Sequence, residues 1–220
     1  MLSAENVAAI RSEGRRLARF AWEDPGREVP QYPGWSLADL ASHVGSILGR
    51  TARICREVPQ EKVSAPRLPE GRDPIDWYEE VLDDTLEALT EADPETRVWT
   101  FDAEGKLGFW ERRMVVEVGV HRWDAQGAVG RPDPLTDLVA RLGLGEVEPL
   151  WLQHLGDVQT LEAVAVDLGR SWTYGSGEPS ARVEGAGSEL VLRILSRPSS
   201  VVLPDDWAAA VDGLAPPPKR

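Results

Sequence analysis

Residues 109–126, FWERRMVVEVGVHRWDAQ, form the clearest helical stretch in the chain, and Gly127 ends it. Three further amphipathic stretches precede it, each closed by proline or by a turn sequence. The sequence therefore predicts four substantial helices joined by loops of varied length, a pattern typical of a helical bundle. Their predicted extents are Ala4 to Trp22, Ser36 towards Val58, Asp76 to Ala92, and Phe109 to Gln126.

The start of the second helix has a clear signal in the sequence. Ser36 is a favourable N-cap residue, and Asp39 stands three residues later, which makes an acidic variant of the capping box. The pair therefore predicts that this helix begins immediately after Ser36.

The pattern changes after Gly156. Short alternating stretches and turn sequences predict a small unit of strands and helices. Its predicted strands are Leu161–Val166, Ser171–Tyr174, Ala181–Glu184 and Val201–Leu203, and its helices begin at Ser188, as N-cap, and at Asp205. We therefore predict an α+β protein with a four-helix bundle over residues 1–156, an α+β domain over 157–215 and a disordered tail at 216–220.

Composition limits the classes of function. The 220 residues include 24 Lys and Arg against 37 Asp and Glu, which gives a net charge of −13 at pH 7. This excess of acid argues against binding to nucleic acid or to an anionic membrane, because both require basic surfaces. No apolar run reaches the length of a membrane span, and the charged first twenty residues do not resemble a signal peptide. Cys55 is the single cysteine, which suits a reducing compartment, so we expect a cytoplasmic protein. We further expect a monomer or a homodimer.

Two of the three histidines suggest a metal site. His121 follows Glu117 by four residues on the fourth helix, so both side chains lie on one face, one turn apart. His43 lies on the second helix among residues typical of a protein core. If the two helices are neighbours, two imidazoles and one carboxylate meet, and this ligand set is found in catalytic zinc and non-haem iron sites.

The same residues have plainer interpretations. A glutamate and a histidine at this spacing often occur by chance, and a histidine among apolar residues is commonly a hydrogen-bonded core residue. Trp110 and Arg113 extend the face of Glu117 and, in one interpretation, line a pocket for an anion. In the other, Arg113 forms an exposed ion pair with Glu117. Asp124 is placed to orient His121 from behind. We expect Cys55 to be a packed thiol and His154 to be structural.

Two segments together resemble a known family. The first is Tyr32-Pro33-Gly34-Trp35-Ser36-Leu37-Ala38-Asp39-Leu40-Ala41-Ser42-His43, and the second combines Glu111-Arg112-Arg113, Glu117 and His121-Arg122-Trp123-Asp124-Ala125-Gln126. They are similar to the metal-ligand segments of the mycothiol-dependent maleylpyruvate isomerase family, a branch of the DinB/YfiT-like metalloenzymes. Together with the order of helices and the α+β C-terminal part, the resemblance covers nearly the whole chain.

The resemblance implies a site as well as a fold. It implies a four-helix bundle that binds a divalent metal, usually zinc, through His43, Glu117 and His121, and a C-terminal domain similar to sterol-carrier proteins. It further implies that mycothiol, a low-molecular-weight thiol, binds the metal as a thiolate. An arginine of the C-terminal domain takes part in substrate handling in this family. Arg197 is the nearest positional match, and Arg193 is the alternative.

These implications lead to a hypothesis about the reaction. A thiolate that adds to a conjugated double bond, permits rotation and leaves would isomerise a small electrophile, such as a maleylpyruvate-like acid; release of the adduct would make the enzyme an S-transferase. Arg113 and Arg197 are the residues expected to bind substrate carboxylates. Iron or nickel also suits the ligand set. The alternative function is a non-catalytic small-molecule binding protein with a structural or vestigial metal site.

Overall fold

The structure is a computed structural model that describes residues 3–214, so the predicted tail at 216–220 lies outside the described residues. It confirms the predicted α+β class. The α-helices are α1 (Ala4–Glu23), α2 (Leu37–Glu57), α3 (Pro74–Glu91), α4 (Leu107–Val129), α5 (Asp137–Glu146), α6 (Gly187–Ile194) and α7 (Asp205–Asp212), and the strands are β1 (Leu161–Ala165), β2 (Arg170–Tyr174) and β3 (Ala181–Gly185). None of the helices in residues 3–214 combines the length and the apolar character that crossing a bilayer requires.

The first compact unit ends at Asp133 and contains the four predicted helices. α1 packs against α4 and α3, and α2 packs against α3 and α4, so the helices form a closed ring around a shared apolar core. The predicted capping box is present at the start of α2. The Asp39 backbone N–H donates to Ser36 Oγ over 3.2 Å, and the Ser36 backbone N–H donates to Asp39 Oδ2 over 2.8 Å.

α4 is enclosed by the bundle over most of its length, and several of its polar side chains are buried. Polar groups inside a protein need partners, since an unpaired one loses its hydration without compensation. Arg122, fully buried, donates from Nε to Glu13 Oε2 of α1 over 2.5 Å. This ion pair holds α4 against α1.

α2 approaches α3 closely where α2 carries a glycine. A Cβ atom on Gly45 would lie 2.9 Å from the ring of Trp77, closer than real Cβ contacts come. Only glycine allows this spacing, and Gly45 stands two residues after His43. The packing of α2 on α3 therefore helps to set where His43 lies.

The second unit begins at Pro134 and contains a three-stranded sheet in the order β2-β1-β3. β1 pairs antiparallel with β2 and parallel with β3, and α6 packs against β1 and β3. α5 belongs to this unit, because it packs on α6 and because Tyr174 of β2 donates its hydroxyl to the Leu144 carbonyl over 2.9 Å. The division at residue 134 thus falls earlier than the predicted boundary at 156.

Two local predictions in the second unit are wrong. Val201–Leu203 has the alternating burial of a strand, yet no ladder forms there, and Val201 instead packs against Gly185 of β3. Ser188 is not an N-cap but lies within α6, where its hydroxyl accepts the Leu135 N–H over 2.8 Å. The start of α6 is held instead by Asp167, whose carboxylate accepts the Gly187 N–H over 2.8 Å.

Candidate metal centre

His43 from α2 and the pair Glu117 and His121 from α4 converge in the core of the first unit. One ligand atom of each lies within 4.8 Å of the other two. Glu117 Oε1 is 3.1 Å from His121 Nε2 and 3.8 Å from His43 Nε2. Only a small fraction of each of these side chains is exposed. The structure thus brings together the three residues that the sequence analysis selected as metal ligands.

Asp124 orients His121 from behind, as the sequence analysis predicted. The Nδ1 atom of His121 lies 3.0 Å from Oδ2 of Asp124, whose side chain is fully buried on the next turn of α4. This contact favours the tautomer in which Nδ1 carries the proton and donates it to the carboxylate. The Nε2 lone pair is then directed to the centre of the cluster, where a cation would lie.

Arg113 lies one turn before Glu117 and contacts Oε2, the carboxylate oxygen on the side away from the imidazoles. The two residues do form the i, i+4 ion pair that was one of the two sequence interpretations, but the pair is largely buried rather than exposed. Arg113 therefore holds the carboxylate so that Oε1 faces both histidines.

The charges around Glu117 keep it ionised. Burial alone would raise the pKa of this carboxyl, but the Arg113 guanidinium and the two imidazoles outweigh burial and hold the pKa well below its usual range. Burial opposes a charge on His121 too, yet the carboxylates of Asp124 and Glu117 outweigh it and raise the pKa of the imidazole. The cluster thus places an anionic oxygen beside two imidazole nitrogens.

A short loop before α2 covers the histidines with aromatic rings. Tyr32 and Trp35 stack with ring centroids 5.0 Å apart. The Trp35 ring lies 5.1 Å from that of His43, and the Tyr32 ring lies 5.8 Å from that of His121. The loop is closed by the Val29 N–H, which donates to the Trp35 carbonyl over 2.9 Å. Sequence reasoning assigned these two rings no such role.

Arg50 is a second feature that the sequence analysis missed. Its guanidinium carbon lies 5.1 Å from the ring centroid of Trp110 and 5.3 Å from that of Phe101. The available signal was spacing, because Arg50 follows His43 by seven residues, just as Trp110, already placed on the Glu117 face, precedes Glu117 by seven. Both residues therefore fall on the helix faces that carry the metal-ligand candidates.

The C-terminal arginines lie in the second unit. Arg193 is ion-paired with Asp212 over 2.8 Å, and Arg197 donates to the Leu195 carbonyl over 2.7 Å. The role of Arg197 in binding substrate stays a prediction, with Arg193 as the alternative.

The remaining cysteine and histidine stand apart from the cluster. Cys55 is half-buried, and burial raises the pKa of its thiol to about 12. His154 is exposed in the second unit. Neither belongs to the group of potential metal ligands found among the described residues.

The residues present fit a divalent metal. Zinc with bonds of about 2.0–2.1 Å to nitrogen and oxygen in tetrahedral geometry places its ligand atoms about 3.4 Å apart. The separations of Glu117 Oε1 from the two Nε2 atoms, 3.1 Å and 3.8 Å, lie on either side of that value. Three protein ligands also match catalytic rather than structural zinc sites, which leave a coordination position for water or substrate.

Comparison with known proteins identifies a family and two solved structures to which the chain is similar. Residues 7–126 match the family model described as the mycothiol maleylpyruvate isomerase N-terminal domain. Two solved structures, of the mycothiol-dependent maleylpyruvate isomerase and of a histidine-to-alanine mutant of it, share the fold with a TM-score of 0.67. Each is 17% identical in sequence, and the match covers 90% of both chains. No curated protein matches the sequence.

Proposed function

The chain belongs to the mycothiol maleylpyruvate isomerase family, and on this basis we propose that it is a metal- and thiol-dependent enzyme that isomerises or conjugates a small electrophile. Mycothiol is the proposed thiol, zinc the proposed metal, and a maleylpyruvate-like acid the representative substrate. The observation that carries the proposal is the convergence of His43, Glu117 and His121, with Asp124 behind them.

The chain's own residues have distinct roles in this proposal. His43, Glu117 and His121 would hold the metal. A bound metal would act as a Lewis acid and would lower the pKa of a thiol bound to it. Asp124 keeps the Nε2 lone pair of His121 directed inward, and Arg113 keeps Glu117 Oε1 turned towards the histidines. The aromatic loop before α2 limits access of water to the two imidazoles.

In this proposal, arginine side chains bind the substrate. Arginine binds carboxylates through two parallel N–H···O hydrogen bonds, so it is suited to an acidic electrophile. We assign this role to Arg113 and Arg197. Arg113 contacts Glu117, yet a guanidinium has five N–H donors and can serve two carboxylates.

The nucleophilic thiol has to come from outside the chain. Cys55 is the only cysteine, and its thiol is protonated at neutral pH because burial raises its pKa to about 12. It lies twelve residues after His43 on α2 and is not part of the cluster. This supports a small-molecule thiol over a thiol of the protein itself.

The test is thiol-dependent turnover by the zinc-loaded protein. Purified protein is incubated with maleylpyruvate alone, with mycothiol and with glutathione, and the products are separated by mass. We expect conversion that needs mycothiol and disappears in His43→Ala but persists in His154→Ala. A product of unchanged mass identifies an isomerase, and a thiol adduct identifies a transferase. Full zinc occupancy without any thiol-dependent conversion of this substrate or of other electrophiles would instead support the non-catalytic binding protein.

A further inference from the structure

A guanidinium lies beyond the candidate metal centre, along the contact between α2 and α4. Seven residues at 100° each come within about 20° of two full turns, so Arg50 shares the face of His43 at about 10 Å along the axis. Trp110 is displaced from Glu117 by the same seven residues on α4. The Arg50 guanidinium carbon lies 5.1 Å from the Trp110 ring centroid, so these two residues are in contact between α2 and α4.

The Arg50 guanidinium lies over the rings of Phe101 and Trp110, which together with Trp99 form an aromatic platform. The ring centroids lie 4.9 to 5.4 Å apart, and the Trp110 indole N–H donates to the Trp99 carbonyl over 2.8 Å. Trp110 is fully buried, whereas Phe101 is 42% exposed. The platform is thus anchored in the core on one side and reached by solvent on the other.

The chemistry of this arrangement suits a carboxylate attached to a flat, apolar body. A guanidinium that is attracted to an aromatic ring carries five N–H donors in its own plane, and a carboxylate binds through two of them. Aromatic faces next to a guanidinium favour planar, conjugated groups. Lysine would not substitute, because an ammonium neither stacks as a plane nor offers a fork of donors.

We propose that Arg50 and the aromatic platform form a subsite for the far carboxylate of an unsaturated acid whose reactive end lies at the metal centre. The inference rests on the proposed function and extends it by naming the residue that selects acids of sufficient length. The reacting double bond then lies between the two ends. Arg50 acts as a binding residue, and acids too short to reach it lose this contact.

The test measures binding of trans,trans-muconate, a conjugated dicarboxylate, and of its uncharged dimethyl ester, by calorimetry without any thiol. Zinc-loaded and chelator-treated samples are compared for the wild type, Arg50→Gln, Arg50→Lys and Arg53→Gln. Arg53 is the matched control, since it lies one turn further along α2 in an exposed pair with Glu57. Far-UV circular dichroism and zinc content are recorded for each sample.

We expect Arg50→Gln to weaken muconate binding about tenfold or more, as expected for loss of a charged hydrogen-bonded pair, and Arg53→Gln to leave it unchanged. Arg50→Lys keeps the charge, so we expect its affinity for muconate to lie between those of Arg50→Gln and Arg53→Gln. If Arg50→Gln does not fold, Arg50→Lys is used for the test instead. The dimethyl ester should bind all variants alike. Muconate binding in folded Arg50→Gln equal to the wild type overturns the subsite.

Zinc content separates this proposal from the proposed function. If the wild type contains zinc and the Arg50 variants bind muconate as tightly as the wild type does, the subsite is overturned and the metal centre is not. Absence of zinc from the wild type, together with muconate binding that depends on Arg50, overturns the metal centre and supports the subsite.

Discussion

Asp124 is the residue on which the orientation of His121 depends. Its carboxylate is fully buried and accepts a hydrogen bond from the ring nitrogen opposite the one that faces Glu117. Without this carboxylate, the imidazole can rotate or adopt the other tautomer. In both cases the Nε2 lone pair is no longer directed to the cluster.

We therefore predict that Asp124→Ala weakens zinc binding by about 10- to 100-fold, measured by competition with a chromophoric chelator. Asp84→Asn is the control, because Asp84 forms an exposed ion pair with Arg56 on the surface of α2 and α3. Equal zinc affinity of Asp124→Ala and the wild type would show that the hydrogen bond does not support a metal ligand.

Cys55 is predicted to be unreactive in the folded protein. Because burial raises the pKa of its thiol to about 12, the thiolate needed for alkylation is scarce at pH 8. The rate of alkylation should increase as the pH rises towards that value. Unfolding in urea should also increase the rate, because it exposes the thiol and restores its ordinary pKa. Iodoacetamide labelling followed by mass spectrometry measures the rate, and rapid labelling at pH 8 without denaturant would contradict the prediction.

At the scale of elements, the position of His43 depends on how closely α2 packs on α3. Gly45 allows this approach, because a methyl group there would collide with the Trp77 ring. Alanine is the better helix former by about 1 kcal/mol, so propensity and packing make opposite predictions for a substitution.

We expect packing to dominate, so that Gly45→Ala lowers the free energy of unfolding by about 1–3 kcal/mol in urea titrations. Gly127→Ala on α4 is the matched control, since its Cβ would meet only Pro132 at 3.8 Å, an ordinary contact. That control should be neutral or more stable. If the free energy of unfolding of Gly45→Ala equals or exceeds that of the wild type, α2 can shift away from α3 without loss of stability.

Local chemistry made some elements predictable from sequence. Ser36 and Asp39 form their capping box within four residues, so the start of α2 was visible in the chain itself. Val201–Leu203 shows the limit, because a short apolar, β-branched run is visible in the sequence but a neighbouring strand that would pair with it is not. For the same reason Ser188 was misread: the cap of α6 comes from Asp167, twenty residues away.

The spacing of residues along the sequence predicted only part of the candidate metal centre. Glu117, His121 and Asp124 occupy two turns of one helix, so their contacts follow from helical geometry. His43 joins them through the packing of α2 on α4, which spacing along the chain does not encode and which only the family resemblance supplied. Arg50 was missed because its partners, Phe101 and Trp110, are more than fifty residues distant.

At the scale of the whole molecule, the candidate metal ligands all lie in the first unit, which ends at Asp133. Asp133 is joined to α4 through its carbonyl, which accepts from Arg122 over 3.0 Å, so a cut after it preserves that contact. Arg197, by contrast, belongs to the second unit.

We predict that a fragment of residues 1–133 folds as a helical protein and binds one zinc ion, but lacks the thiol-dependent turnover of the full chain. Circular dichroism, zinc content and product analysis check the three parts. A folded fragment that binds no zinc, although the full chain does, would show that the second unit supplies part of the metal site.

The most direct test of the central claim is the zinc content of the purified full-length protein, measured by mass spectrometry of the metal beside two histidine variants. Our account predicts about one zinc or other divalent ion per chain, lost in His121→Ala and retained in His154→Ala, whose histidine is exposed in the second unit. No bound metal in the wild type after zinc addition, or equal metal in all three proteins, would contradict it.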